Sequence, residues 1–305
     1  MVAAMSTALY LDTVTAEVVG ALAAEGVECL LLKGPAMQAA FYGPAEFRPY
    51  GDVDLLVPQD ELDQAGEVLT ALGFVERLAR SDNVDPGIAG SPWDRARPVS
   101  VTLDLHVSFH GVVSADGLWQ ALTRDSRELP VGGTRVHAPS TSGSALIAVL
   151  HASTARSGHG RPVEDLRRAA NVLTADEWRD VGQRLRQVGA LQLAVATLSE
   201  FGHGETAAFL ASGPAPTAEV LAVRGLQGSQ RLLSLRQATS WGSRLRLLGR
   251  TLWPSAAYMR FLAENLGRDP RWIPLERLLR TGQMARRAVA LARAALTIRV
   301  TNKPR

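Results

Sequence analysis

The strongest constraint on this chain is the segment Gly51-Asp52-Val53-Asp54-Leu55-Leu56-Val57, where two acids sit two positions apart in an otherwise apolar run. Side chains alternate across a β-strand, so Asp52 and Asp54 share one face while Val53 and Leu55 take the other. A second alternating run places Leu103, Leu105 and Val107 on one face and Asp104, His106 and Ser108 on the opposite one. If the two strands are neighbours, three carboxylates meet on a single polar face. Ionised carboxylates that close repel one another, and charge in an apolar setting is costly unless it is matched. The cluster therefore calls for cations. Magnesium takes oxygen ligands, commonly one or two carboxylates together with substrate phosphates. Two such ions ~3.5–4 Å apart stabilise both the entering and the departing oxygen of a phosphoryl displacement. Asp52, Asp54 and Asp104 are accordingly expected to be the metal ligands, for Mg2+ or Mn2+, and the catalytic residues.

What precedes the pair points the same way. Leu30-Leu31-Leu32 runs into Lys33-Gly34-Pro35, an apolar strand leading to a turn and then a helix. Proline suits the first helical turn, where its missing N–H costs nothing. A helix start directs backbone donors and partial positive charge at an anion, and Lys33 adds a compact charge. Lysine is otherwise almost absent, with Lys303 the only other. Lys33 and Gly34 are thus expected to hold phosphate, and the combination suggests an enzyme handling a nucleoside triphosphate. Arg48, in the loop from Gly43 to Gly51, is a further phosphate candidate; its competing role is to pair with a nearby acid. The Gly-rich stretch from His151 to Arg161 joins the sheet region to the helices, where clefts tend to form. Within it His159 and Arg161 are the chosen nucleotide-binding residues, whereas His151 reads equally well as a structural hydrogen-bonding group.

These residues resemble a known pattern. Leu31-Leu32-Lys33-Gly34, Tyr42, Arg48 and the Gly51–Val57 run are similar to the bacterial uncharacterised nucleotidyltransferase family of the DNA polymerase beta-like superfamily. There, a glycine-containing turn is followed by a two-carboxylate strand and then a third-carboxylate strand, which Asp104-Leu105-His106 resembles. His151, Arg161-Pro162-Val163-Glu164-Asp165-Leu166 and Trp253-Pro254-Ser255 extend the likeness over most of the chain. The departure lies at the turn: many superfamily members have Gly-Ser or Gly-Gly where this chain has Lys33-Gly34-Pro35. The resemblance implies the fold and the metal triad. Some members resemble tailoring enzymes of ribosomal-peptide or polysaccharide pathways.

The expected fold class is α+β. Helical spacing covers Leu9–Glu25, the segment after Pro35 and the segment after Pro58. Strands are expected at Val27–Leu32, Asp52–Val57, Phe74–Leu78 and Val99–Phe109, with a long loop over Arg80–Arg97 and a hairpin through Gly132-Gly133. These form a mixed sheet with flanking helices over residues 1–138, the catalytic domain. Ser140, an N-cap residue, opens a mostly helical region, 139–305, expected to hold the acceptor. The last of its helices, Leu275–Leu296, is basic and amphipathic. Net charge is only +3, too little to argue for nucleic acid. The sequence shows no run of ~20 apolar residues for a membrane span and no basic region heading a signal sequence. Cys29 is the single cysteine and reads as a core residue. A cytoplasmic location is expected.

The function expected from these readings is transfer of a nucleoside monophosphate from a triphosphate, ATP among the options, to an acceptor with release of pyrophosphate. The acceptor is open: a small molecule, a peptide such as a ribosomal product, or a protein. Three alternatives stand beside it, the weakest being a nucleic-acid-modifying enzyme that uses the basic C-terminal helix. A metal-dependent glycosyltransferase also uses Asp-x-Asp, but requires neither the Lys-Gly turn nor a third carboxylate strand. A non-catalytic nucleotide-binding module would keep the scaffold without turnover.

Overall fold

The computed structural model describes residues 2–78, 90–97, 99–155 and 160–211, together with 241–242, 245, 249, 253–265, 273–274, 277–278 and 282. Two compact units divide the chain: Met1–Arg77 with Ala89–Pro214, and Leu78–Ile88 with Ala215–Arg305.

In the first unit a five-stranded mixed sheet is built from β1 (Leu30–Leu31), β2 (Val53–Leu56), β3 (Val75–Glu76), β4 (Gly90–Arg95) and β5 (Val101–His106), in the order β1-β2-β5-β4-β3. Only β2 and β5 run parallel. Both faces are covered, so the two sets of alternating residues enter two different cores. Leu31, Val53, Leu55, Leu103 and Leu105 pack with α1 (Val2–Ala24) and α3 (Leu62–Ala71). Leu30, Leu32 and Leu56 pack on the other side with α2 (Pro35–Phe41) and α5 (Thr141–Ala152). Asp54 shares this second face, which is why helices wall the polar site. The central leucines are essentially sealed from water, each stabilising the fold by roughly 1.5–3 kcal/mol through burial.

α1 is long and apolar enough to cross a membrane by length and composition. Its Leu11, Val14, Val18 and Leu22, at helical spacing, are instead buried against the sheet, as a core helix requires.

The sequence reading needs correction at β4. Residues 90–95 are a strand within the stretch expected to be loop; residues 79–89 lie outside the described ones. Pro92 hid it, since proline disfavours ladders. Here β3 pairs only with Trp93 and Asp94, and the Pro92 carbonyl, which proline retains, accepts from the Arg77 N–H at 2.9 Å.

The hairpin forms as expected, from β6 (Arg127–Val131) and β7 (Thr134–Ala138). Gly132 is obligatory there: φ is +57°, and a Cβ would overlap the Asp12 carbonyl. Helix α4 (Ala115–Thr123), capped by Ser114, was not foreseen. α5 is capped by Ser140, whose hydroxyl accepts from the Gly143 N–H, as expected. α6 (Arg161–Val172), α7 (Ala175–Gln187), α8 (Leu191–Glu200) and the unforeseen α9 (Gly204–Leu210) complete the unit. α7 starts at a capping box, Thr174 with Glu177. It is tied to α4 by Arg184, fully buried, which bonds Asp180, Asp125 and the Ala121 carbonyl.

In the second unit, α10 (Ala256–Asn265) is capped by the Ser255 hydroxyl on the Tyr258 N–H. Leu78, Tyr258, Met259 and Phe261 form a small buried cluster. The expected basic helix 275–296 lies almost wholly outside the described residues.

Candidate metal and phosphate site

Parallel pairing in register sets Asp54 of β2 opposite Asp104 of β5, and Leu56 opposite His106. Because both strands alternate, Asp54, Asp104 and His106 present toward one face, and a ligand atom from each lies within 4.8 Å of the others. Lys33 is brought in by the antiparallel β1, whose continuation donates the Leu32 N–H to the Asp54 carbonyl at 3.0 Å. The following turn passes through Gly34 at φ +54°. That left-handed conformation favours glycine, and a Cβ there would also press on the Tyr50 ring at 3.3 Å. Tyr50 is in turn held by Asp12 through its hydroxyl.

Asp54 is 1% exposed. Its Oδ1 accepts from Lys33 Nζ at 2.5 Å and lies 3.1 Å from His106 Nε2. Its Oδ2 is buried and has no hydrogen-bond partner among the described residues, and the same is true of His106 Nδ1. A buried, unpaired carboxylate oxygen is expensive, and Asp54 is also a member of the group formed with Asp104 and His106. The His106 ring stacks on Phe109, centroids 4.8 Å apart. Gly90, its cross-strand partner on β4, leaves room for it: a Cβ at that position would lie 3.0 Å from the ring.

The electrostatics separate the three acids. Burial alone would raise the Asp54 carboxyl, but the Lys33 charge and the His106 hydrogen bond hold it well below the usual carboxylate range. The Asp52 and Asp104 carboxyls are pushed up, first by burial and further by the charge of Asp54. Burial opposes the charge on Lys33, yet Asp54 overcomes this and raises it. Asp52 and Asp104 thus lie beside a carboxylate already bonded to Lys33, an arrangement that a bound cation would stabilise.

Asp52 occupies the bend just before β2. It stands outside the tight Asp54–Asp104–His106 group but feels Asp54, Lys33 and Arg161. His106 is the ligand candidate that the sequence reading placed on the polar face without giving it a role. Its position two residues from Asp104 was the available signal.

Arg48 shows the competing role raised from the sequence. Its Nε and Nη2 donate to both oxygens of Asp165 on α6, at 2.8 and 2.7 Å, and both residues are buried. Tyr42 donates its hydroxyl to the same carboxylate at 2.8 Å. Arg168 lies over the Tyr42 ring, 4.0 Å from its centroid. The Arg48 fork therefore locks the loop entering β2 onto α6 instead of pointing freely at phosphate. Asp165 and Tyr42, quoted in the resemblance, had no assigned part.

Helix α2 has seven residues and follows directly on Lys33 and the Gly34 turn. Arg161 is the exposed first residue of α6, close enough for its charge to act on Asp52. His151, at the end of α5, is held neutral: burial, then the Lys33 charge, brings its imidazole down to about 3. His159 lies outside the described residues.

The sequence model of a family described as "Uncharacterised nucleotidyltransferase" matches residues 2–199. The match ends before Trp253-Pro254-Ser255. No curated protein matches significantly. Similar solved structures include the antibiotic-resistance factor ANT(2'')-Ia, at 15% identity over 63% of this chain and 96% of that one, with a TM-score of 0.41. An antigenic nucleotidyltransferase-like protein from Paracoccidioides brasiliensis gives 15% identity over 68% and 95%, with a TM-score of 0.43.

Proposed function

Since the chain belongs to the uncharacterised nucleotidyltransferase family, we propose that it moves a nucleoside monophosphate from a nucleoside triphosphate, ATP among the candidates, to an acceptor hydroxyl or phosphate, releasing pyrophosphate. The observation that carries this reading is the grouping of Asp54, Asp104 and His106 within 4.8 Å, with the buried Asp54 Oδ2 left without a hydrogen-bond partner among the described residues. The donor set, two carboxylates and an imidazole with a further acid nearby, fits Mg2+ or Mn2+. Bound to Asp54, Asp104 and His106 with Asp52 alongside, such an ion would supply charge neutralisation and polarisation of the phosphate oxygens.

The chain's own residues then divide the work. Lys33 and Gly34 hold the phosphates, and Arg161 and His159 are the other nucleotide-binding residues. Arg48 contributes mainly by fixing the loop that carries Asp52. Asp104, whose proton affinity is raised by burial, accepts the proton of the acceptor hydroxyl. The freed oxygen bonds to the α-phosphorus, the bond to the bridging oxygen breaks, and pyrophosphate leaves. Alignment and charge matching supply the rate.

Residues 1–138 are the catalytic part and 139–305 the acceptor part in this reading. The division is one of role: helices 141–211 pack in the same compact unit as the sheet. A cytoplasmic location is part of the same proposal.

The test is incubation with each labelled nucleoside triphosphate, Mg2+ or Mn2+ and a cell extract, following pyrophosphate and the mass of the labelled product. Pyrophosphate release that disappears in Asp54→Asn supports the reading. Transfer of sugar from a nucleotide sugar, with no triphosphate consumed, overturns it.

A further inference from the structure

We infer that Lys33 is the resident counter-cation of Asp54 and gives up that carboxylate for substrate phosphate when the site fills, so that the divalent ion and the triphosphate bind as a coupled pair. The inference rests on the reading of Asp54 as a metal ligand.

Lys33 Nζ sits 2.5 Å from Asp54 Oδ1, with the two side chains 12% and 1% exposed. A buried carboxylate without a cation would be severely destabilising. Lys33 therefore makes the metal-free chain tenable. The same carboxylate is the one a metal ion needs, and only its other oxygen, Oδ2, lacks a hydrogen-bond partner among the described residues. An ammonium and a dication on one buried carboxylate repel each other with little solvent screening. Lysine can relieve this by moving, because its charge rides on a flexible four-carbon stem in the bend two residues beyond β1. Arg48 cannot take its place, being forked onto Asp165. A metal ion arriving alone meets Lys33 as a competitor. Arriving with a triphosphate, it brings the anion to which Lys33 can transfer. The coupling is reciprocal by linkage.

Mn2+ binding to the full chain, followed by electron paramagnetic resonance, tests this in wild type, Lys33→Met and Lys33→Arg, with and without α,β-methylene-ATP. Without nucleotide, Lys33→Met is expected to bind Mn2+ about tenfold more tightly than wild type, and Lys33→Arg to stay close to wild type. The analogue is expected to tighten Mn2+ binding more in wild type than in Lys33→Met, a difference from which chelation in solution cancels. Where Lys33→Met is poorly folded without metal, its Tm is expected to rise more with Mn2+ than that of wild type, since the ion replaces the missing charge. Equal nucleotide-free Mn2+ affinities and equal Tm gains in wild type and Lys33→Met would overturn the exchange while leaving the metal site standing. No Mn2+ binding by any of them, even with the analogue, would remove the metal site and the exchange together.

Discussion

Asp54 and Asp104 face each other across the one parallel strand pair among the described residues, so a single register shift would separate them. The polar face they share with His106 is enclosed by helices and carries a buried oxygen that the protein leaves unbonded among its described residues. Asp104→Asn keeps the shape and removes both a ligand charge and the proposed proton acceptor. Its expected effect is a loss of turnover of at least about 100-fold, in line with the loss of a general base, with little change in Tm. Steady-state pyrophosphate release together with thermal denaturation checks it.

His106 is set by two neighbours, Phe109 beneath the ring and Gly90 across the strand. Gly90→Ala puts a methyl group 3.0 Å from the imidazole, so the ring must shift. Mn2+ affinity in the presence of a triphosphate analogue is expected to fall severalfold, and His106→Ala to fall further, by about 10–100-fold as for lost metal-site partners. Isothermal titration of both variants reads this.

The Arg48–Asp165 pair is a different kind of element, one that locks structure. Removing one partner leaves a buried charge alone and costs about 3–5 kcal/mol. Asp165→Leu and Arg48→Met are each expected to lower stability strongly. Combining Arg48→Met with Asp165→Leu is expected to recover much of the loss, because no lone charge remains. Chemical denaturation of the four proteins closes the cycle.

Acid titration separates opposing groups. The folded Asp54 carboxyl lies below its unfolded value of 3.8, so its contribution is intact above that pH and is lost only as pH falls through the folded value. The folded His151 imidazole lies at about 3 against 6.5 unfolded. Between these pH values the unfolded chain binds the proton and the folded chain does not, so stability falls as pH drops. Asp52 and Asp104, raised on folding, act the other way and soften the loss as they protonate. The expectation is a Tm that declines from pH 7 to pH 5 in wild type and declines less in His151→Phe.

What the sequence disclosed and withheld follows from range. Alternation is local, so the faces of β2 and β5, the Lys33-Gly34 turn and the cap at Ser140 were all readable. Which strands lie side by side is not local, and β4 escaped because Pro92 masks a strand whose ladder on that side is short. Arg48 could be read two ways because its partner stands 117 residues away on α6. His106 lay in plain view on the polar face two residues from Asp104, but an imidazole between Leu105 and Val107 gains its second ligand partner only when Asp54 is seen across the strand pair. α4 and α9 were missed as short helices whose few apolar residues are set by packing.

The most direct test of the whole account is Mn2+ binding in the presence of α,β-methylene-ATP, compared between wild type and Asp54→Asn by electron paramagnetic resonance. Asp54→Asn keeps the volume and deletes the charge at the centre of the site. The account predicts a bound Mn2+ signal in wild type that is weakened by about two orders of magnitude or abolished in the variant. An Asp54→Asn protein that is folded and holds Mn2+ as tightly as wild type would contradict it.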